Sequence, residues 1–255
     1  MQDLDKPRLV ISRCLGFERC RWNGEVIEDE FVARLAPHVE FSTVCPEVQI
    51  GLGVPRDPIR IESARGIARL VQPATGRDVS EEMLSFCRAF LGSLREADGF
   101  LLKARSPSCG PFDVKIYPVG GKSGAMEKGS GFFGGAVLAA FPDLPVETEG
   151  RLKNFRIREH YLTRLFTLAR FRAVERAGAL RDLVDFHARN KFLLMAYHQS
   201  ELKAMGGLVA NRERKRAEEL IPLYRDRLER ALSKIPRYTS NINVLMHSMG
   251  YFSKD

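Results

Sequence analysis

The chain has no stretch approaching the roughly 20 consecutive apolar residues that a bilayer-spanning helix needs, which argues against a helical membrane anchor. Met1 to Leu15 scatters acidic and basic residues around one short apolar run, so it lacks the long apolar region of a secretory signal and the expected location is cytoplasmic. Cysteine is scarce and odd in number: five residues, none beyond Cys109. Without an export signal, a disulfide framework is the least expected use for them, and thiolate ligation or apolar packing remain. Histidine is scarcer where it would matter, because His38 alone precedes residue 150. That shortage leaves little for a zinc site, which wants paired cysteines or a nearby imidazole, or for a cysteine nucleophile, which wants a positioned histidine. Beyond residue 150 there is no convincing strand pattern.

What is present is enough for one or two ordinary cores, with 255 residues of which 44% are apolar. Charge is divided along the chain. Residues 151–255 hold 22 Lys+Arg against 11 Asp+Glu, while residues 1–150 hold 18 against 21, so the net charge of +8 belongs wholly to the C-terminal part. A basic half on a slightly acidic one suggests a polyanionic partner, nucleic acid before others, with a solvated basic helix surface as the plain alternative.

The first 150 residues alternate apolar runs with helix-like segments, the signature of a parallel α/β sheet. Arg8 to Arg13, Val39 to Val44 and Gly99 to Lys103 read as strands, Ile67 to Gln72 as a further one, and Asp29 to Ala36 as helix. Ser80 to Leu94 reads as an amphipathic helix with Met83 and Cys87 on its apolar face, which marks Cys87 as core. Gly120 to Gly135 is rich in glycine and runs into a helix-like Ala136 to Phe141. Pro142, Pro145 and the Glu-Thr-Glu-Gly that follows mark a boundary. After it, Leu152 to Arg176, Ala179 to Tyr197, Glu201 to Val209 and Arg214 to Leu232 read as helices, and Asn241 to Asp255 as the start of another element. The fold class expected is α/β, a Rossmann-like parallel sheet followed by an all-α, Arg-rich domain. His187 and His198 have no Asp, Glu or Cys at ligand spacing and are expected in packing or RNA contact.

Cys14, Cys45 and Cys109 each follow a strand. Loops at the carboxyl ends of parallel strands converge on one crevice, so three cysteines distant in sequence can meet there. Iron–sulfur clusters accept cysteines scattered in this way, and structural thiols are the competing reading. Glu47 stands two residues after Cys45, and Ser106 three before Cys109, a carboxylate and a hydroxyl suited to proton transfer and orientation beside a metal. A turn glutamate and a capping serine are the bland equivalents.

Four ordered motifs carry a resemblance. Ile11-Ser12-Arg13-Cys14-Leu15-Gly16 with Cys20-Arg21-Trp22-Asn23-Gly24, then Val44-Cys45-Pro46-Glu47, Gly51-Leu52-Gly53-Val54-Pro55-Arg56, and Leu102-Lys103-Ala104-Arg105-Ser106-Pro107-Ser108-Cys109-Gly110 resemble the bacterial thiouracil desulfidase family over roughly residues 6–145. The helical part, with Asp185 to Lys191 and Leu193 to Tyr197, resembles the domain fused to desulfidases acting on 4-thiouridine in tRNA, whose members usually continue past the end of this chain. The resemblance implies a [4Fe–4S] cluster held by Cys14, Cys45 and Cys109, with one iron open to the thiocarbonyl sulfur. It implies Glu47 as the acid/base and Ser106 as its helper, and Cys20 as a neighbour rather than a ligand. It also implies an iron–sulfur desulfidase domain at 1–147 and a basic helical RNA-binding domain at 148–255. Candidate phosphate contacts are Arg151, Lys153, Arg156 and Arg158, and Arg212, Arg214, Lys215 and Arg216. The expected partners are tRNA and a thiolated uracil base, with no membrane and no protein partner implied. Desulfuration of free thiouracil or thiolated nucleotides, and a non-catalytic iron–sulfur sensor binding RNA, stand as alternatives.

Overall fold

The computed structural model describes residues 6–120, 127–237, 242, 244–247 and 249. Part of the glycine-rich segment (121–126) and most of the element expected at Asn241 to Asp255 lie outside the described residues. The chain forms two compact units, Lys6–Tyr161 and Leu162 onward, and a single helix carries it from one into the other.

In the first unit the order is β1 (Arg8–Ser12), α1 (Glu30–Leu35), β2 (Glu40–Val44), α2 (Pro46–Gln49), β3 (Arg60–Ala64), β4 (Ile67–Gln72), β5 (Arg77–Asp78), α3 (Ser80–Ser93), β6 (Gly99–Leu102), β7 (Val114–Pro118), β8 (Glu127–Gly129), α4 (Phe132–Ala140) and β9 (Val146–Thr148). Strands β2-β1-β6-β9 pair in that order, every pair parallel, which is the expected α/β sheet. β1 and β6 are apolar on both faces and almost wholly buried, as a central parallel strand covered on both sides requires. Helices start where the sequence supplies caps: the Asp29 side chain accepts from Val32 N at 3.0 Å to open α1, and Pro46 begins α2 where its missing N–H costs nothing.

A second, mixed sheet was not expected. Its order is β5-β4-β3-β7-β8, with β3 antiparallel to β4 and parallel to β7. Ile67–Gln72 is indeed a strand, but it belongs here. It returns from β3 through Arg65 and Gly66, both at positive φ (52° and 79°), the backbone that a two-residue hairpin turn demands. Ile61, Leu70 and Val114 from this sheet share one core with Val10 and Phe100 of the parallel sheet and with Met83 and Cys87 of α3, so Cys87 is a packing residue.

The helices beyond are α5 (Phe155–Ala177), α6 (Leu180–Tyr197), α7 (Gln199–Ala210) and α8 (Ala217–Ala231). Phe171, Phe186 and Tyr224 pack as an aromatic group in the second unit, with centroids 5.1 to 6.1 Å apart. His187 belongs to it, its Nδ1 lying 3.0 Å from the Tyr224 hydroxyl. The helix expected from Arg214 starts only at Ala217. Asn211 takes the left-handed conformation that ends α7, its amide donates to Lys215 O at 2.9 Å, and its carbonyl oxygen accepts from Lys215 N at 2.8 Å. Arg212, Arg214 and Lys215 therefore sit in a clamped loop, and Arg216 caps the helix that follows.

Candidate functional site

The register of the parallel sheet builds the site. Ser12 lies opposite Val44, and Ile11 opposite Leu101, so β1, β2 and β6 end level with one another. Arg13 N donates to Val44 O at 2.8 Å and Lys103 N to Ser12 Oγ at 2.9 Å, tying the three exits together. Cys14, Cys45 and the loop leading to Cys109 leave from that common edge, as ligands at the carboxyl ends of parallel strands do. All three line one cavity of about 350 Å³, together with Cys20, Glu47 and Ser106. None of the five cysteines is in a disulfide.

The Cys109 loop is held by an unusual backbone contact. Phe132 N donates to Pro107 O at 3.1 Å, Phe133 N and Gly134 N to Ser108 O at 2.9 and 3.0 Å, and Gly131 N to Gly110 O at 2.7 Å. The start of α4 thus spends its otherwise orphaned N–H groups on the carbonyls of this loop. Such an approach leaves no room for side chains. A Cβ at Gly131 would stand 2.6 Å from Ser108 O, and one at Gly134 2.5 Å from Gly110 O. The glycine-rich stretch is a docking surface for the cysteine loop. On the other side Arg105 takes a left-handed backbone (φ 59°), rare for a bulky residue, immediately before Ser106.

Glu47 lies in the first turn of α2 and both its oxygens are engaged. Oε2 accepts from Arg56 Nε at 2.9 Å and Nη2 at 2.6 Å, and Oε1 accepts from the Ser108 hydroxyl at 2.5 Å. The Arg56 side chain is 4% exposed and also donates to Gly53 O at 2.8 Å and Cys20 O at 3.1 Å. With two donors on one carboxylate oxygen, this buried guanidinium joins Glu47, the loop between Gly51 and Pro55 and the Cys20 segment. Ser106 makes no hydrogen bond to Glu47. Its Oγ lies 2.9 Å from Ser108 Oγ and accepts from Ser108 N at 3.3 Å and Cys109 N at 3.1 Å. Arg56 and Ser108 were both inside motifs of the sequence, yet nothing in spacing marked them as partners of Glu47.

Burial shapes the thiols. Desolvation pushes Cys109 up to about 12, the Ser12 and Ser108 hydroxyls partly offsetting it. The hydrogen bond with the Cys14 side chain, with burial, pushes Cys20 up to about 11, and the hydrogen bond with Cys20, with burial, holds Cys45 far above the ordinary thiol range. Cys20 therefore lies beside Cys14 and Cys45, and Cys45 Sγ donates to Cys20 O at 3.8 Å. Thiols so disfavoured as free thiolates must shed protons when a cation binds, which gives a metal the role of stabilising charge that the cavity itself does not. Among the described residues no three His, Cys, Asp or Glu side chains converge closely enough to hold a single metal ion. A polynuclear cluster, whose irons stand apart, reaches thiolates that one ion cannot, and the soft, all-sulfur donor set on a cavity of this size fits such a cluster.

The expected phosphate contacts fall in both units. Arg151 is committed locally: its guanidinium pairs with Glu147, Nε to Oε2 at 2.9 Å, and lies over the Phe112 ring at 5.0 Å. Lys153 follows in the short turn Arg151–Lys153, and Arg156 and Arg158 lie in the first turn of α5, Arg158 packing over Phe155 at 5.9 Å. In the other group Lys215 pairs with Glu213 at 2.8 Å and Arg216 with Glu218 at 3.4 Å. No helix among the described residues is long and apolar enough to cross a membrane.

Fold and site together define an α/β protein with a cysteine-lined cavity at the carboxyl edge of its parallel sheet, closed on one side by an arginine-bound carboxylate. Residues 9–149 match the family model of 2-thiouracil desulfurases, and the chain belongs to that family. Residues 191–255 match a second model, a domain of unknown function (DUF1722). The uncharacterized protein YbbK of Bacillus subtilis (strain 168) is 33% identical over 110 residues, 40% of this chain and 72% of YbbK. The uncharacterized protein YbgA of Escherichia coli (strain K12) is 32% identical over 93 residues, 36% of this chain and 55% of YbgA. Among solved structures, one described as the [4Fe-4S]-dependent thiouracil desulfidase TudS aligns with a TM-score of 0.44 at 24% identity, covering 58% of this chain and 94% of that one.

Proposed function

We propose that this protein is an iron–sulfur-dependent desulfidase that replaces the exocyclic sulfur of 4-thiouridine in tRNA with oxygen and releases sulfide. The observation that carries the reading is the convergence of Cys14, Cys45 and Cys109 with Glu47 and Ser106 on one cavity, in a chain of the 2-thiouracil desulfurase family. Cys14, Cys45 and Cys109 would hold a [4Fe–4S] cluster, which supplies an open, sulfur-seeking Lewis acid when bound. The remaining chemistry belongs to side chains. Trp22, 46% exposed at the cavity wall, offers an indole face on which a pyrimidine stacks. Arg56 fixes Glu47 in place, so the carboxylate serves as the acid/base of the reaction without having to reorient.

The basic second half supports an RNA substrate, since a free base calls for no cationic appendage of that size whereas tRNA is held through its phosphates. A second reading, free thiouracil or a thiolated nucleotide, is favoured by one observation: every residue lining the cavity lies within the first unit, and about 350 Å³ is at the small end of ligand sites, roughly 300 to 1,000 Å³. Anaerobic reconstitution with iron and sulfide, followed by incubation with thiolated tRNA, tests both. Loss of the 4-thiouridine absorbance that requires the cluster, is absent in Glu47→Ala and weakens steeply with salt is the expected result. Turnover of 2-thiouracil alone establishes the second reading, and turnover of neither substrate by cluster-loaded protein refutes desulfuration.

A further inference from the structure

We propose that the buried Ser108 hydroxyl is the proton conduit between Ser106 and Glu47, two residues of the cavity lining, with Arg56 as the residue that positions the far end. The inference rests on the desulfidase reading and adds to it the residue that makes its acid/base pair work.

The hydrogen-bond inventory sets the direction of the chain. A serine hydroxyl has one proton and two acceptor lone pairs. Ser106 Oγ accepts from two backbone N–H groups, Ser108 N at 3.3 Å and Cys109 N at 3.1 Å, so its own proton is the one available for the 2.9 Å contact with Ser108 Oγ. Ser108 Oγ accepts there and donates to Glu47 Oε1 at 2.5 Å, a short hydrogen bond of the charge-assisted kind. Ser108 is fully buried, whereas Ser106 and Glu47 both line the cavity. Ser108 Oγ also lies 3.9 Å from Cys109 Sγ, but the far shorter contact with Glu47 takes its one proton, so the order is Ser106 to Ser108 to Glu47.

A proton reaching Ser106 from a water in the cavity travels this line by exchange. The water oxygen forms the new bond to the thiocarbonyl carbon, and one of its protons passes to Ser106 Oγ, which gives up the longer of its two N–H contacts. The Ser106 proton moves to Ser108, and the Ser108 proton to Glu47 Oε1. The carbon–sulfur bond then breaks, and sulfur departs with the second water proton as hydrosulfide. The proton on Glu47 leaves by the same path, so the net change is C=S plus water to C=O, hydrosulfide and a proton, with no oxidant or reductant. Arg56 occupies Oε2 with two of its own donors, which leaves Oε1 as the oxygen that receives the proton.

The test uses the full chain reconstituted with cluster and, as probes, 4-thiouridine-containing tRNA and 2-thiouracil. Ser108→Ala should lower kcat by about 100- to 10,000-fold, the range of a lost general acid/base, with KM, iron content and acid-labile sulfide unchanged. Ser108→Thr, which keeps a hydroxyl, should restore most of the rate. Rates in H2O/D2O mixtures should curve in the wild type, as several protons move together. Wild-type kcat in Ser108→Ala, or a rate that falls only in proportion to lost iron, overturns the conduit. A measurement independent of turnover separates this from failure of the desulfidase reading. In serine-labelled protein the Ser108 hydroxyl resonance should exchange slowly and move upfield in Glu47→Gln, where the charged acceptor is gone; an unmoved resonance overturns the chain whatever the enzyme turns over.

Discussion

Gly134 and Gly135 are neighbours in α4, and the structure expects opposite outcomes when each becomes alanine. In a helix interior the change by itself gains about 1 kcal/mol, because alanine loses less backbone freedom than glycine. At Gly135 the new Cβ meets only the Ser130 Cβ at 3.3 Å, a contact that a small shift relieves, so most of that gain should survive. At Gly134 the Cβ falls 2.5 Å from Gly110 O and 2.6 Å from Cys109 O, backbone atoms with no rotamer to change. Overpacking costs about 1 to 3 kcal/mol. Displacement also strains the bond from Gly134 N to Ser108 O at 3.0 Å, a further loss of about 1 kcal/mol. Gly134→Ala should thus be destabilised by about 1 to 3 kcal/mol net, and Gly135→Ala should be neutral or stabilised by up to about 1 kcal/mol. Urea unfolding of the two variants beside the wild type reads the difference directly, and the iron bound after anaerobic reconstitution should fall in Gly134→Ala alone. Equal stabilities for the two variants would refute the claim that α4 docks backbone to backbone on the cysteine loop.

Arg56→Met should cost about 3 to 5 kcal/mol in denaturant unfolding by leaving Glu47 as an unpaired buried charge, and Glu47→Gln in the same chain should recover part of the loss; simple additivity would show that the pair is not coupled. Cys20→Ser should keep its iron and its visible absorbance after reconstitution, while Cys14→Ser, Cys45→Ser and Cys109→Ser each lose them; iron lost from Cys20→Ser would make Cys20 a ligand. Burial, with Lys191 nearby, lowers the pKa of His187, so below its ordinary value of 6.5 the unfolded chain binds a proton that the folded one refuses, and stability falls as pH falls through that value. Thermal melts between pH 7.5 and 5.5 should show a smaller decline in His187→Gln than in the wild type, and identical declines would remove His187 from the account.

The parallel sheet was legible from its two central strands, β1 and β6, which are buried on both faces and announce themselves as apolar runs, whereas the short edge strand β9 was not read. The mixed sheet was not, because its strands carry charge along their length, as in Arg60–Ala64 with both Arg60 and Glu62, which pair with each other. At the site, the three cysteines could be gathered from sequence by the rule that strand ends converge. Arg56 and Ser108 could not, since what selects them is the direction of a side chain across a tertiary contact rather than any periodic spacing. The segment around Arg214 misled for a related reason. Arginine is a good helix former, but Asn211 captures Lys215 through both backbone groups and holds the chain out of the helix until Ala217. Arg151, grouped with free surface cations by charge alone, is held by Glu147.

The placing of Cys14, Cys45 and Cys109 at the exits of three different strands has a mechanical meaning. Any inorganic group gripped by all three is a cross-link that closes two large loops of chain, from Cys14 to Cys45 and from Cys45 to Cys109, and restricts the unfolded state much as a pair of disulfides does. In a reducing compartment that denies the chain real disulfides, loading the site would double as a rivet through the sheet. The loaded protein would resist proteases that cut the unloaded one, and a cell that clears unfolded chains would keep the loaded form.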